Sequence, residues 1–173
     1  MENRYGFIRD KLEIKILILF VLSRLTEPVD FETLTDLCLC DDAISYFDYS
    51  DCVNELIATD HIYFDGQKYV ITDKGRKNGS VTETGIPYTV RLKAEKSAAV
   101  ANARLARDAM ISTDKEMKRG GGYTVHLSLS DGTCDIISME LFAASSKQAD
   151  DIEAGFRKHA EAVYNAIIKK LFE

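Results

Sequence analysis

No tryptophan occurs in the 173 residues, prolines number two and histidines three, and the four cysteines stand at positions 38, 40, 52 and 134. Those spacings lack the pairing of a disulfide framework, and each thiol falls in an apolar or helical context, so a reducing cytoplasm is the expected setting. A run of about 18 apolar residues is also missing. The longest candidate, Ile14 to Leu22, is interrupted by Lys15 and followed by Ser23 and Arg24, so neither a helical membrane span nor a signal peptide is expected. His61, His126 and His159 lie in different elements with no nucleophile or carboxylate motif beside them, so no enzyme is expected. The order Cys38, Cys40, Cys52, His61 is not a zinc-binding spacing, and helix packing by small thiols is the better reading. Gly120-Gly121-Gly122 is followed by no phosphate-cradling pattern. We therefore expect neither metal nor cofactor.

The most informative absence is of positive charge. Between Arg24 and Lys68 there is no lysine or arginine, while eleven acids fall in that window. Residues 1–75 carry seven bases against fifteen acids, 76–119 ten against five, and 120–173 five against eight. A basic middle lies between two acidic ends.

What is present reads as alternating helices and hairpins. From Asp10 to Leu25 the apolar residues are too dense for a surface helix, which predicts a largely buried first helix. After the Thr26-Glu27-Pro28 break, Asp30 can cap a short second helix ending near Cys40, with Val29 and Leu34 as a hydrophobic staple. Past the acidic pair Asp41-Asp42, Tyr49, Val53, Leu56 and Ile57 have helical spacing and predict a third helix, with Asp48 as its cap. Ile62-Tyr63-Phe64, the turn pair Asp65-Gly66, and Lys68 to Ile71 read as a tight hairpin. Three helices and a hairpin give the winged-helix order. Thr72 can cap a fourth helix that fades near Gly79-Ser80.

From Tyr88 to about Ile111 the chain favours helix, with Leu92, Ala99, Ala103, Ala106 and Met110 as its expected inner stripe. The charged stretch Asp114–Arg119 is expected in solvent and the three glycines after it as a flexible joint. Tyr123, Val125, Leu127 and Leu129 alternate with polar residues, Asp131-Gly132 turns the chain, and Ile136 to Phe142 returns. Ser145 with Gln148 forms a capping box for a last helix whose stripe is Ile152, Phe156, Ala160, Val163, Ile167 and Leu171. The fold class is α+β: a winged helix-turn-helix over 1–84, a helical connector over 85–119, and a hairpin-plus-helix unit over 120–173 that supports dimerisation or sensing. One hairpin and one helix leave an open face, so a homodimer is expected.

The stretches Leu56-Ile57-Ala58-Thr59-Asp60-His61-Ile62 and Tyr69-Val70-Ile71-Thr72-Asp73-Lys74-Gly75 look like the recognition-helix exit and wing of bacterial winged-helix regulators. Together with Tyr46-Phe47-Asp48-Tyr49, Tyr123-Thr124-Val125, Gln148-Ala149 and the Tyr164 region, the chain resembles the Firmicute winged-helix family known as domain of unknown function 4364. The resemblance implies a bacterial, cytoplasmic, regulator-like protein and supplies no catalytic or ligand-binding residues.

Two functions follow. In one, a dimer binds double-stranded DNA, with Asn54 reading a base and Lys68, Lys74, Arg76 and Lys77 meeting phosphates. The carboxylates of the third helix oppose this, since no cation in the second or third helix offsets them. In the other, the winged helix contacts a protein partner, its acidic third helix meeting a basic surface. Lys93, Lys96, Arg104 and Arg107 form a further basic face on the long helix, open either to an acidic partner or phosphate, or to solvent and salt bridges.

Overall fold

A computed structural model describes residues 8, 10–39 and 44–173 of the chain. The expectations placed on Cys40 and on Asp41-Asp42 lie outside the described residues. The chain divides into two compact units, one up to Ala103 and one from Arg104, and its class is α+β.

The first unit is built around α1, Lys11–Arg24. The Asp10 side chain accepts from the Glu13 amide at 2.8 Å and starts the helix. Ile14 and Ile16 through Leu22 are all buried, because α2, α3 and α4 each pack against this helix. Next, α2 (Phe31–Cys38) is capped by Asp30, whose carboxylate accepts from the Thr33 amide at 2.8 Å. Val29 and Leu34, the two halves of the expected staple, are both buried.

Ser45, rather than Asp48, occupies the cap position of α3 (Tyr46–Ala58), and it makes no side-chain capping bond. Asp48 lies in the first turn, where a carboxylate still meets the positive helix end. The helix closes through a pair of backbone bonds, Asp60 to the Ile57 carbonyl and His61 to the Leu56 carbonyl. Asp60 supplies the left-handed residue this ending needs, at φ +58°. The hairpin follows as β1 (Ile62–Phe64) and β2 (Tyr69–Ile71), with Tyr63 opposite Val70. Val29 adds a bridge to Tyr69 on the other side of β2. Thr72 caps α4 (Asp73–Thr82), which runs past Gly79-Ser80 instead of fading there. Gly75 and Gly79, one turn apart, keep α4 close against the His61 carbonyl and Leu19.

The long helix α5 spans Tyr88–Ala109. Its buried stripe is Val90, Ala94, Ala98 and Ala101, not the expected Leu92, Ala99, Ala103, Ala106 and Met110, which are exposed. In an alanine-rich helix several stripes have nearly equal apolar content, so periodicity alone does not choose among them. Asn102 fixes its orientation in the first unit by donating to the Arg24 carbonyl at 2.7 Å and accepting from the Thr26 amide at 3.0 Å.

The second unit is a three-stranded antiparallel sheet in the order β3 (Ile111–Met117), β4 (Tyr123–Ser130), β5 (Asp135–Ala143), covered by α6 (Ser146–Phe172). The expectation of a connector to residue 119 and a unit starting at 120 fails on β3. The stretch expected in solvent is an edge strand paired with β4 from Ile111↔Leu129 to Met117↔Tyr123. Lys115 Nζ forms an ion pair with Asp150 of α6. Nor is the glycine triplet a joint between units. It turns β3 into β4, with Gly121 and Gly122 at φ +90° and +79°, and a Cβ on Gly122 would stand 2.6 Å from the Phe142 ring. Val125, Leu127 and Leu129 meet Ala149, Phe156 and Ala160 in the core. Of the stripe expected for α6, Ile167 and Leu171 are exposed, beyond the end of that core.

Candidate nucleic-acid interface

The three carboxylates of α3 occupy one flank, and that flank faces α1. Lys11 Nζ lies 2.9 Å from Asp51 and 3.5 Å from Asp48, and Lys15 pairs with Glu55. The hydrogen bond to Asp51 comes first among the influences that hold the Lys11 amine above its ordinary value. The spacing explains the match. Positions 48, 51 and 55 form one helical row, and positions 11 and 15 form another a turn apart. The second and third helices carry no lysine or arginine, and the partners of these acids lie in the first, at the matching helical spacing of positions 11 and 15.

With that flank turned toward α1, the other exposed side of α3 carries Phe47, Ser50 and Asn54. Phe47 is 80% and Tyr46 50% exposed, and Asn54 is exposed on the next turns. Aromatic contacts run on from there. Phe31 meets Tyr46 edge-on at 6.3 Å and lies 5.9 and 6.0 Å from Tyr49 and Tyr69, and Phe64 stacks on Tyr69 at 4.5 Å. Burial drives the Tyr49 hydroxyl well above its ordinary value. Tyr49 is therefore a neutral anchor beneath an aromatic surface.

Lys68 is exposed at the turn between β1 and β2. The Asp65 carboxylate shapes that turn by accepting from the Gln67 and Lys68 amides at 2.8 and 2.7 Å. These two bonds, Lys68's first, hold the Asp65 carboxyl below its usual range. Lys74 donates from Nζ to the Thr59 carbonyl at 2.7 Å, at the C-terminus of α3. Arg76 reaches the other way, its Nη1 3.4 Å from the Ser23 carbonyl at the end of α1. Lys77 borders a groove of about 540 Å³ with Leu12, Ile16, Leu56 and Val81. Lys68 and Lys74 thus adjoin the β1–β2 hairpin and the end of α3, whereas Arg76 and Lys77 point elsewhere.

The basic face expected on α5 also divides. Lys93, Lys96 and Arg104 are exposed. Arg107 is bound within the second unit: Nε and Nη2 donate to Glu161 at 2.7 and 2.8 Å, and Nη1 to the Arg157 carbonyl at 3.0 Å.

His61 borders the groove with both ring nitrogens engaged. Asn78 Nδ2 stands 2.8 Å from Nε2, and Nδ1 is 2.9 Å from the Thr59 hydroxyl. That hydroxyl itself donates to the Glu55 carbonyl at 2.7 Å. Cys38 and Cys52 are buried, and desolvation pushes the Cys52 thiol up. Cys134, expected in an apolar or helical context, is instead exposed in the β4–β5 turn. His159 is exposed at an irregular position within α6. Among the described residues, no three His, Cys, Asp or Glu side chains stand where they could hold a metal ion, and no helix is long and apolar enough to cross a membrane.

The model of a family described as a domain of unknown function (DUF4364) matches residues 14–171. No curated protein and no solved structure matches the chain.

Proposed function

We propose that this chain, which belongs to the DUF4364 family, is a winged helix-turn-helix regulator that binds double-stranded DNA as a homodimer in the cytoplasm. The observation that carries the reading is the pairing of α3's three carboxylates with Lys11 and Lys15, which offsets two of their three charges. Unpaired, three carboxylates on a reading helix would meet a duplex bearing one negative charge per about 1.7 Å. Paired along the α1 flank, they leave Phe47, Ser50 and Asn54 to approach the major groove. There Asn54 can donate to and accept from an adenine edge, and Phe47 can lie against a thymine methyl.

Lys68 at the wing and Lys74 at the end of α3 supply the phosphate contacts. Two cations per protomer make four in a dimer, and each neutralised phosphate contributes about −0.9 to the slope of log affinity against log salt. The expected slope is therefore about −3 to −4, shallow for a DNA-binding protein. A salt-titrated binding assay against pooled genomic duplexes measures it. Reversing Lys68 and Lys74 to Glu should abolish binding, while Lys77→Glu should leave the slope unchanged. Asn54→Ala should cost about 1–3 kcal/mol at the preferred site and little elsewhere. No binding to any duplex at low salt would end the proposal.

A second reading rests on the aromatic side chains. Tyr46 and Phe47 are exposed beside the partly exposed Phe64, a composition enriched where proteins meet. In this reading the surface docks a protein partner by apolar contact, because the acids that might attract a basic surface are already paired. Phe47→Ala would then weaken the partner complex with almost no salt dependence, which separates it from DNA binding.

A further inference from the structure

The edges of the second unit's sheet differ in character. We propose that β5 is the surface on which two copies of this chain meet, pairing antiparallel with the same strand of a second copy. The inference deepens the dimeric part of the reading above and is independent of its DNA-binding part.

β5 runs nine residues, Asp135–Ala143, and every ladder partner it has lies in β4. Its other side presents unpaired backbone donors and acceptors, which invite another strand when the edge is long and apolar. Between its terminal residues the only charge is Glu140, set among Ile136, Ile137, Met139, Leu141 and Phe142. The opposite edge, β3, is protected by Asp114, Lys115 and Glu116.

The apolar layer beneath α6 also runs out at β5. Ile137, Met139 and Leu141 stand beside Leu129, Leu127 and Val125 in the register of the sheet. Those three β4 residues are buried, yet Ile137 and Met139 are only half-buried and Leu141 is 42% exposed. Apolar side chains on the core-facing side therefore lack a neighbour on one flank, and another strand would supply it.

Self-pairing tests the match residue by residue. With a two-fold axis at Met139, Ile137 lies opposite the partner's Leu141 and Ile136 opposite the partner's Phe142. Met139 faces the partner's Met139, Ser138 the partner's Glu140, and Asp135 the partner's Ala143. Apolar groups meet apolar groups on both faces, and each Glu140 meets a hydroxyl that can donate to it. The same operation on β3, with its axis at the central residue, sets Asp114 directly against the partner's Asp114, an unfavourable pairing. An isologous contact through β5 yields one continuous six-stranded sheet and closes the assembly at two copies.

The test uses the full chain without DNA, by sedimentation equilibrium across a range of micromolar concentrations. The unmodified chain should sediment as a dimer. Ile136, at the irregularity where the β4–β5 register shifts, and Phe142 are 41% and 60% exposed, so they can be changed without opening the core. I136K/F142K places lysine opposite lysine at two positions and should raise the dissociation constant at least tenfold. I136K/F142E places lysine opposite glutamate and should restore dimerisation. S112K, on the other edge, should have no effect. In the unmodified chain, the backbone amides within 136–142 that point away from β4 should lose protection from hydrogen exchange on dilution, whether or not the variants fold. A monomeric unmodified chain, a dimer indifferent to I136K/F142K, or edge amides whose exchange ignores concentration would overturn the proposal. Failure of a folded I136K/F142E to recover would overturn the register.

Discussion

Gly75 occupies a junction where the exit of α3, strand β2 and the start of α4 converge. The His61 carbonyl there accepts from the Thr72 amide at 3.1 Å. The Thr72 hydroxyl donates to the Asp60 carbonyl at 2.7 Å and accepts from the Gly75 amide at 3.1 Å. A Cβ on Gly75 would stand 2.1 Å from the His61 oxygen, and that oxygen is backbone, so the strain must be taken up by moving α4. Gly75→Ala is therefore expected to cost about 3 kcal/mol, the upper part of the overpacking range. Gly155 offers the contrast, because a Cβ in its place within α6 meets nothing within 4 Å. Gly155→Ala should stabilise the chain by up to about 1 kcal/mol through helix propensity alone. Urea denaturation of both variants checks the opposite signs, and equal effects would remove the steric argument. The capping role of Thr72 was legible because cap and helix start are adjacent in sequence. The need for glycine three residues later was not, since the carbonyl it avoids arrives from the other side of a hairpin.

Within α6 the backbone departs from helical geometry at His159, with φ −127° and ψ 17°. Arg107 accounts for the break. Its guanidinium donates to the carbonyls of Arg157 and Lys158 at 3.0 and 3.4 Å while gripping Glu161, so a side chain replaces part of the helical ladder. The Arg107 hydrogen bond is the leading cause that holds the Glu161 carboxyl below its ordinary value. A depressed carboxylate stabilises the folded state above its unfolded pKa, and that contribution is lost as pH falls through the folded pKa. NMR titration should find the Glu161 midpoint below the usual 4.5, and Arg107→Gln should return it upward. A midpoint unmoved by that substitution would exclude the pair as the cause. A helix stripe predicts α6, but the kink depends on a residue 50 positions away and leaves no local mark. The same limit hid β3. Its sequence, Ile-Ser-Thr-Asp-Lys-Glu-Met, has polar residues on both faces because it is an edge strand, and alternation is the only strand signal a short window offers. By contrast, β4 carries one apolar face into the core and was readable from Val125, Leu127 and Leu129.

Across the whole molecule, the acidity that dominates the first 75 residues is a statement about composition, and function depends on where each charge is compensated. Lys11 and Lys15 sit outside the candidate reading surface, on α1, yet in the proposed reading they would determine whether α3 presents carboxylates to a duplex. Removing them should therefore weaken DNA binding from a distance. Lys11→Gln with Lys15→Gln leaves Asp48, Asp51 and Glu55 unpaired and is expected to lower affinity about tenfold or more at low salt, with the loss shrinking as salt screens the freed charges. Lys93→Gln with Lys96→Gln removes the same formal charge from an exposed part of α5 and serves as the comparison. If neutralisation of α3 is local, the first pair loses far more affinity than the second, and adding Asp51→Asn and Glu55→Gln to the first pair restores most of it. Equal losses from the two pairs would mean that binding follows net charge alone, and the paired flank of α3 would then carry no special weight.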